Sequence, residues 1–316
     1  MKLQQLRYAV ETFRCNLNVS EAAERLFTSQ PGVSKQIRLL EEELGVQIFI
    51  RSGKRMVAVT PAGRAVLEIA ERILRDTQQI KQIGHEFTHT NKGELTIATT
   101  PTLARFRLPE SVMQFLHAHS DVKFSVKQGA PNDITDMVLR GDADVAISSQ
   151  ATTQSFGLEL KRLICEHWGY AILLPQSHPL AKLPEIELAD IIAEPLLTYE
   201  YMLQNDAPLG RALARTDVKD CRIALAANDY ELLQTYVKMG LGVGLVDAAV
   251  TQAIDDELIL RDVSHLFTPD SVQLIVRQDL LLSNYIYDFF ECFSPNLTRE
   301  RVNKLLYAPP VDDFSI

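Results

Sequence analysis

Gln30, Ser34 and Arg38 recur four residues apart, with Lys35 beside them. On a helix this spacing puts an amide, a hydroxyl and cationic groups on one outward face. A DNA major groove accepts that set: Gln pairs bidentately with adenine, Arg or Lys with guanine, and Ser with a base or a phosphate. Val33, Ile37, Leu40 and Leu44 recur at helical spacing on the other side and are expected to face inward. The pattern describes a helix held by its back. An ordinary helical hairpin with a solvated polar face would show the same spacing.

Placing such a helix requires a frame, and the neighbouring residues provide one. Asn18 can cap a preceding short helix, and Glu21 completes a capping-box pattern. Ala22 and Ala23 are small enough for a second helix to cross close by. Ser29 can cap that second helix, with Pro31 in its first turn, where a missing N–H costs little. An opening helix, with Leu3, Leu6, Ala9, Val10 and Phe13 on one face, is expected to pack behind the pair. After Gly45, two β-prone runs flank Ser52-Gly53, a hairpin signal with a basic tip. As a wing, it would lay Arg51, Lys54 and Arg55 along a phosphate backbone and set register without reading bases. Taken alone, the tip reads equally well as a basic solvated turn. The candidate DNA-contacting residues are therefore Asn18, Ser29, Gln30, Pro31, Ser34, Lys35, Arg38, Arg51, Lys54 and Arg55.

The charge distribution agrees with a local DNA contact. The 316-residue chain has a formal net charge of −9, yet residues 1–60 hold 9 Lys/Arg and 6 Asp/Glu. A basic head on an acidic body is the asymmetry expected when only the head meets a polyanion. Cys15, Cys165, Cys221 and Cys292 are scattered, without CxxC or metal spacing, and read as buried free thiols in a reducing compartment. The N-terminus has no apolar signal core and no stretch approaches membrane-spanning length, so a cytoplasmic protein with no membrane partner is expected.

Thr60-Pro61 opens a helix of nearly thirty residues, Thr as cap and Pro at its first position. Val66, Ile69, Ile73, Ile80, Ile83 and Phe87 fall on a heptad seam that Asp76 interrupts. The seam reads as a dimerisation element, or as a stripe that packs on the protein's own body. Beyond a polar break at His89 to Gly93 the chain alternates strands with helices, which predicts parallel sheets with crossover helices in two lobes. The fold class is α/β. The divisions are a winged helix-turn-helix over 1–59, a linker helix over 60–90 and an effector-binding domain over 91–316. Within that domain lobe I covers about 91–162 and 268–293, lobe II about 163–267, and a tail 294–316.

Small ligands bind between such lobes at the C-terminal ends of strands. Thr99-Thr100-Pro101-Thr102 lies where the first strand gives way to a helix, and its hydroxyls and free N–H groups suit a carboxylate or sulfate. Simple helix capping explains Thr-Pro equally well. Ser148 and Ser149 end the third strand, from where they could face the same cleft. Gly240-Leu-Gly-Val-Gly244 follows a helix and enters a strand, the reverse of the order that dinucleotide binding requires. No His lies in HExxH or beside a GxSxG serine, and no carboxylate pair or phosphate loop stands out, so no enzymatic activity is expected.

The chain resembles the LysR-type transcriptional regulators. The residues that carry this are Ala22-Ala23-Glu24-Arg25-Leu26, Thr28 to Ser34, Ile37-Arg38-Leu39-Leu40-Glu41, Leu44-Gly45, Ile48-Phe49, Arg51 and Thr60-Pro61-Ala62-Gly63. More narrowly it looks like the CysB subfamily, through Met1 to Tyr8, Ser52-Gly53-Lys54, Gly93 to Thr100, Gly141 to Ile147 and Thr235 to Gly244. The resemblance implies an effector domain like the type 2 periplasmic binding proteins and a homodimer or homotetramer on promoter DNA. It also implies a co-inducer that alters DNA bending and recruitment of RNA polymerase. For the subfamily the co-inducer is N-acetylserine or O-acetylserine, with sulfate or thiosulfate competing, in the service of sulfur assimilation and cysteine biosynthesis. By position Thr100, Thr102 and Ser149 would line its pocket, and no other cofactor or metal is implied. The chain departs from the subfamily at Leu103, where Gln is usual, at Ser149, where Thr is usual, and through Glu200 to Ala207, which replaces a Gly- and Thr-containing loop.

Overall fold

The computed structural model describes residues 1–53, 55–88, 93–149, 159–205, 207–215 and 221–307, with backbone alone at 78, 79, 81–83, 85–88 and 251–253. Its residues divide into two units, Met1–Thr88 and His89–Ile316.

Three helices and a hairpin open the first unit: α1 (Leu3–Arg14), α2 (Val19–Arg25), α3 (Gln30–Leu44), β1 (Phe49–Ser52) and β2 (Arg55–Val59), followed by α4 (Pro61–Thr88). Ala22, Val33, Ile37 and Leu40 have almost no exposure and form the centre where α1, α2 and α3 meet. Leu44, expected inside, is 38% exposed, because α3 ends there and Gly45 turns the chain away in a left-handed conformation. The back of α1 is built from Leu6, Ala9 and Val10 as expected. Leu3 and Phe13 are exposed, however, and Gln5, Tyr8 and Thr12 are buried in their place.

The base of the wing and the start of α4 are locked together. Thr60 Oγ1 donates to the Gln47 carbonyl at 2.6 Å and accepts the Gly63 N–H at 2.8 Å. A Cβ on Gly63 would lie 2.2 Å from the Ile48 carbonyl oxygen, so only glycine allows this approach. The seam on α4 then divides. Leu67 and Ala70 are buried, and Val66, Ile73 and Leu74 pack on the core of this unit, whereas Ile69 and Ile80 are exposed. The protein's own body therefore takes one stripe of α4 and leaves another outside it. The side chains of Ile83 and Phe87 lie outside the described residues.

The second unit holds two five-stranded sheets. Its first half runs β3 (Gly93–Thr99), α5 (Pro101–Phe106), α6 (Leu108–Ala118), β4 (Val122–Gln128), α7 (Pro131–Arg140), β5 (Val145–Ser148) and β6 (Leu160–Trp168). β7 (Tyr170–Pro175), α8 (Leu188–Ile192), β8 (Leu196–Tyr199), α9 (Pro208–Ala214), β9 (Ile223–Ala227), α10 (Tyr230–Lys238), β10 (Val243–Asp247) and β11 (Leu258–Asp262) make the other lobe. The chain returns through β12 (Asp270–Arg277) and ends in α11 (Asn284–Phe293) and α12 (Arg299–Tyr307).

Lobe I has strand order β4-β3-β5-β12-β6, and lobe II has β11-β7-β10-β8-β9. β3, β4 and β5 are mutually parallel, as are β8, β9 and β10, each set extended by antiparallel strands. Because β6 pairs with β12 along its whole length, lobe I continues to Trp168 rather than stopping near 162, and the crossover falls at Gly169. The segment expected as a C-terminal tail is part of lobe I: Leu297, Val302 and Leu306 are buried in its core. The stretch from Pro101 to Ala118 is helical in two pieces, broken at Arg107. That guanidinium stacks 4.4 Å over Phe293, donates to Glu166 at 2.7 Å and reaches the Phe293 carbonyl at 2.5 Å. Among the described residues no helix is long and apolar enough to cross a membrane.

Candidate nucleic-acid interface and effector cleft

The polar face of α3 follows from its caps. Asn18 accepts the Glu21 N–H at 3.2 Å and starts α2. The reciprocal half of the expected capping box is absent, since the Glu21 carboxylate binds Arg25 at 2.7 Å. Ser29 Oγ accepts the Gly32 N–H at 3.3 Å and starts α3, with Pro31 in the first turn. With Val33, Ile37 and Leu40 pinned inside, Gln30, Pro31, Lys35 and Arg38 are exposed and Ser34 is half-buried. These residues, with Asn18 and Ser29, share one helix pair as expected. Arg38 lies 3.9 Å from Glu42 in an exposed pair, which holds it weakly.

On the wing, Arg55 is exposed and Lys54 lies outside the described residues. Arg51 differs from the expected free cation, because its Nη2 donates to Glu41 at 2.7 Å. Glu41 is 7% exposed, on the buried side of α3. Its other oxygen accepts the backbone N–H groups of Ile48 and Phe49 at 2.9 and 3.1 Å. The sequence gives little sign of this group, since its partners are mostly backbone donors seven and eight residues on.

In the second unit four strand ends converge. β3 and β5 run parallel with Thr99 opposite Ile147, so Thr100 and the Ser148-Ser149 pair leave neighbouring strands at the same end. Thr100, Thr102 and Ser149 are all more than nine-tenths buried. Thr100 occupies the cap position of α5, yet its side chain makes no capping bond. From lobe II, β8 and β10 run parallel and end at Tyr199 and Asp247. The Thr102 hydroxyl donates to Tyr199 Oη at 3.4 Å, joining the lobes across this opening. Phe106 against Tyr230, ring centroids 5.4 Å apart, and the Arg105–Glu231 ion pair join them again.

Lobe II contributes a buried acid that the sequence reading missed. Asp247 is 4% exposed, and Tyr201 Oη lies 3.4 and 3.5 Å from its two oxygens. Burial first, and then the field of Asp270, push its carboxyl up to about 7, against the Tyr201 hydrogen bond. Asp270 is also raised, by burial, and its carboxylate accepts from the Tyr170 hydroxyl, with Arg211 opposing the shift. Tyr199 stacks on Tyr201 at 5.1 Å, and burial lifts both phenols far above their ordinary range.

Two departures noted in the sequence resolve differently. Leu103 is 1% exposed and belongs to the core of lobe I. In the altered loop Met202 is fully buried in lobe II, whereas Glu200 is exposed and accepts from Asn228 at 2.9 Å. All four cysteines are free thiols, only Cys15 is buried, and burial pushes Cys165 up to about 12. No cluster suited to a metal ion occurs among the described residues.

A winged helix-turn-helix, a long helix and a two-lobed domain with hydroxyls gathered at converging strand ends define a DNA-binding regulator with an effector-binding domain. Residues 3–64 match the bacterial regulatory helix-turn-helix protein family of LysR type, and residues 88–297 match the LysR substrate binding domain. The chain belongs to the LysR family of transcriptional regulators. It is 41% identical to the regulator CysB of Haemophilus influenzae over 96% of this chain and 93% of that protein. It is 36% identical to the regulator cbl of Escherichia coli K12 over 96% of each. The solved cofactor-binding domain of the Cbl regulator superposes with a TM-score of 0.63 at 32% identity, over 69% of this chain and 95% of that one.

Proposed function

We propose that this regulator senses a small anion of the acetylserine or sulfur-oxyanion type and controls genes of sulfur assimilation and cysteine biosynthesis. The observation that carries the reading is the 41% identity to a CysB regulator along almost the whole chain. Site chemistry supports it. Thr100 and Ser149 hold buried hydroxyls, and the Thr102 hydroxyl makes a long contact to Tyr199, so a carboxylate or sulfate can take all three. Gln30, Ser34, Lys35 and Arg38 would read the major groove, with Asn18, Ser29 and Pro31 at the helix starts. Arg51, Lys54 and Arg55 would follow the phosphates. The exposed Ile69 and Ile80 on α4 support a homodimer, and homotetramers on promoter DNA with contact to RNA polymerase would complete the activating complex.

A second reading is favoured by the buried Asp247 and its Tyr201 partner on lobe II: a LysR-type regulator of another pathway, with a different small anionic effector. Titration calorimetry with N-acetylserine, O-acetylserine, sulfate and thiosulfate separates the two. Binding of an acetylserine with competition by sulfate or thiosulfate supports the first reading. No heat from any of the four refutes it. On a duplex recovered by genomic footprinting, Gln30→Ala is expected to cost about 1–3 kcal/mol and to relax specificity.

A further inference from the structure

Glu41 is a charged group in a place that packing alone would fill with an apolar one. It lies on α3 among Ile37 and Leu40 and is 7% exposed. One oxygen accepts both backbone N–H groups that lead into β1, at 2.9 Å from Ile48 and 3.1 Å from Phe49. The other accepts from Arg51 at 2.7 Å. A single carboxylate thus connects the helix that carries Gln30 and Ser34, the root of the wing and the wing's first cation.

The backbone bonds alone would make Glu41 a strand anchor. The bond to Arg51 adds something different. It uses one of the five donors on a planar, rigid fork, and the arginine side chain stays 32% exposed. A free arginine on a surface loses rotamer entropy when it meets a phosphate, and a fork already fixed loses less. We propose that Glu41 is a positioning residue for DNA binding, holding Arg51 from inside the head so that its remaining N–H groups face a backbone phosphate. This rests on the reading of the wing as DNA-facing. Because the carboxylate cancels the local charge, Arg51 contributes geometry more than counterion release. The salt dependence then comes mainly from Arg55, Lys35 and Arg38.

The test compares Glu41→Gln, Arg51→Ala and the double variant as full-length chains. The probe is a duplex selected from a random library by the unaltered protein. Glutamine keeps an acceptor for Ile48 and Phe49 but sets an amide against the guanidinium, so the wing stays rooted while the fork is released. Urea unfolding verifies the fold of each variant. Glu41→Gln is expected to weaken binding about fivefold to tenfold, Arg51→Ala by a similar factor, and the double variant no more than Arg51→Ala alone. An undiminished Glu41→Gln effect in the Arg51→Ala background overturns the proposal, because Glu41 then acts on the fold only. Tighter binding by Glu41→Gln also overturns it, since Glu41 would then compete with the phosphate. If Gln30→Ala weakens binding and Arg51→Ala does not, the DNA reading stands and this inference fails. If no duplex is enriched, both fail.

Discussion

Replacing Asp247 by Asn should make the effector domain more stable at pH 8 and change little at pH 4. The carboxyl is 4% exposed and rises from an ordinary value of 3.8 to about 7, chiefly through burial and then through Asp270. Between those two values the folded protein holds a proton that the unfolded chain has released. The unfolded state binds fewer protons there, so stability falls as pH climbs through that window and levels off above about 7. At ~1.4 kcal/mol per tenfold change in proton affinity, the cost of the charged form is at most about 4 kcal/mol. Polarisable surroundings reduce such costs in practice, and about 2 kcal/mol is the working expectation at pH 8. Asn keeps the shape and a partner for Tyr201 Oη while removing the charge. The assay is urea unfolding at pH 4, 6 and 8, followed by the fluorescence of Trp168. That residue is the chain's only tryptophan and lies at the end of β6 in lobe I. A stability difference between variant and parent that does not grow from pH 4 to pH 8 refutes the reasoning.

Gly63→Ala would press a methyl group to 2.2 Å from the Ile48 carbonyl, and a loss of about 2–4 kcal/mol is expected in chemical denaturation of the first unit. Arg55→Ala should flatten the dependence of log affinity on log salt by about one, read by anisotropy across salt concentrations, without moving the unfolding midpoint. Thr102→Val removes the hydroxyl that reaches Tyr199 at 3.4 Å. It is expected to weaken effector binding about tenfold in calorimetry while costing under about 1 kcal/mol of stability, because that bond is long.

Most of the reading head was legible because each of its features is local. Caps at Asn18 and Ser29, the inward Val33-Ile37-Leu40 stripe and the turn at Ser52-Gly53 depend on residues within a helical turn of one another. Glu41 was not legible, since its partners lie across a turn and two are backbone groups. In the second unit the alternation of strands and helices was legible, whereas β6 and β11 carry a weaker signal. Both are edge strands in their sheets, and their polar residues, Arg162 and Glu166 in one and Arg261 and Asp262 in the other, blur the alternation that marks a strand. The break between α5 and α6 had a sequence signal in Pro109, whose missing N–H cannot continue the helix. In the cleft, Thr100, Thr102 and Ser149 are named from strand ends and the family pattern, and the structure places them buried at those strand ends. Asp247 and Tyr201 were not, because their pairing needs β10 and the turn after β8 to meet in space.

The chain passes between the lobes twice, and the two passages run side by side. β6 ends at Trp168 opposite Asp270, the first residue of β12, and Tyr170 just beyond lies opposite Asp247. Gly169 between them admits no side chain, because a Cβ there would fall 1.8 Å from Ser264 Oγ. A rotation of one lobe against the other would have to be absorbed in these two adjacent passages. An effector that displaced the Thr102–Tyr199 contact, and a proton taken up by Asp247, would both bear on that rotation. Two binding events that share one coordinate are thermodynamically reciprocal. If effector binding changes the proton affinity of Asp247, pH must change the affinity for effector by the same factor, and the regulator's sensitivity would follow the acidity of its surroundings near neutrality.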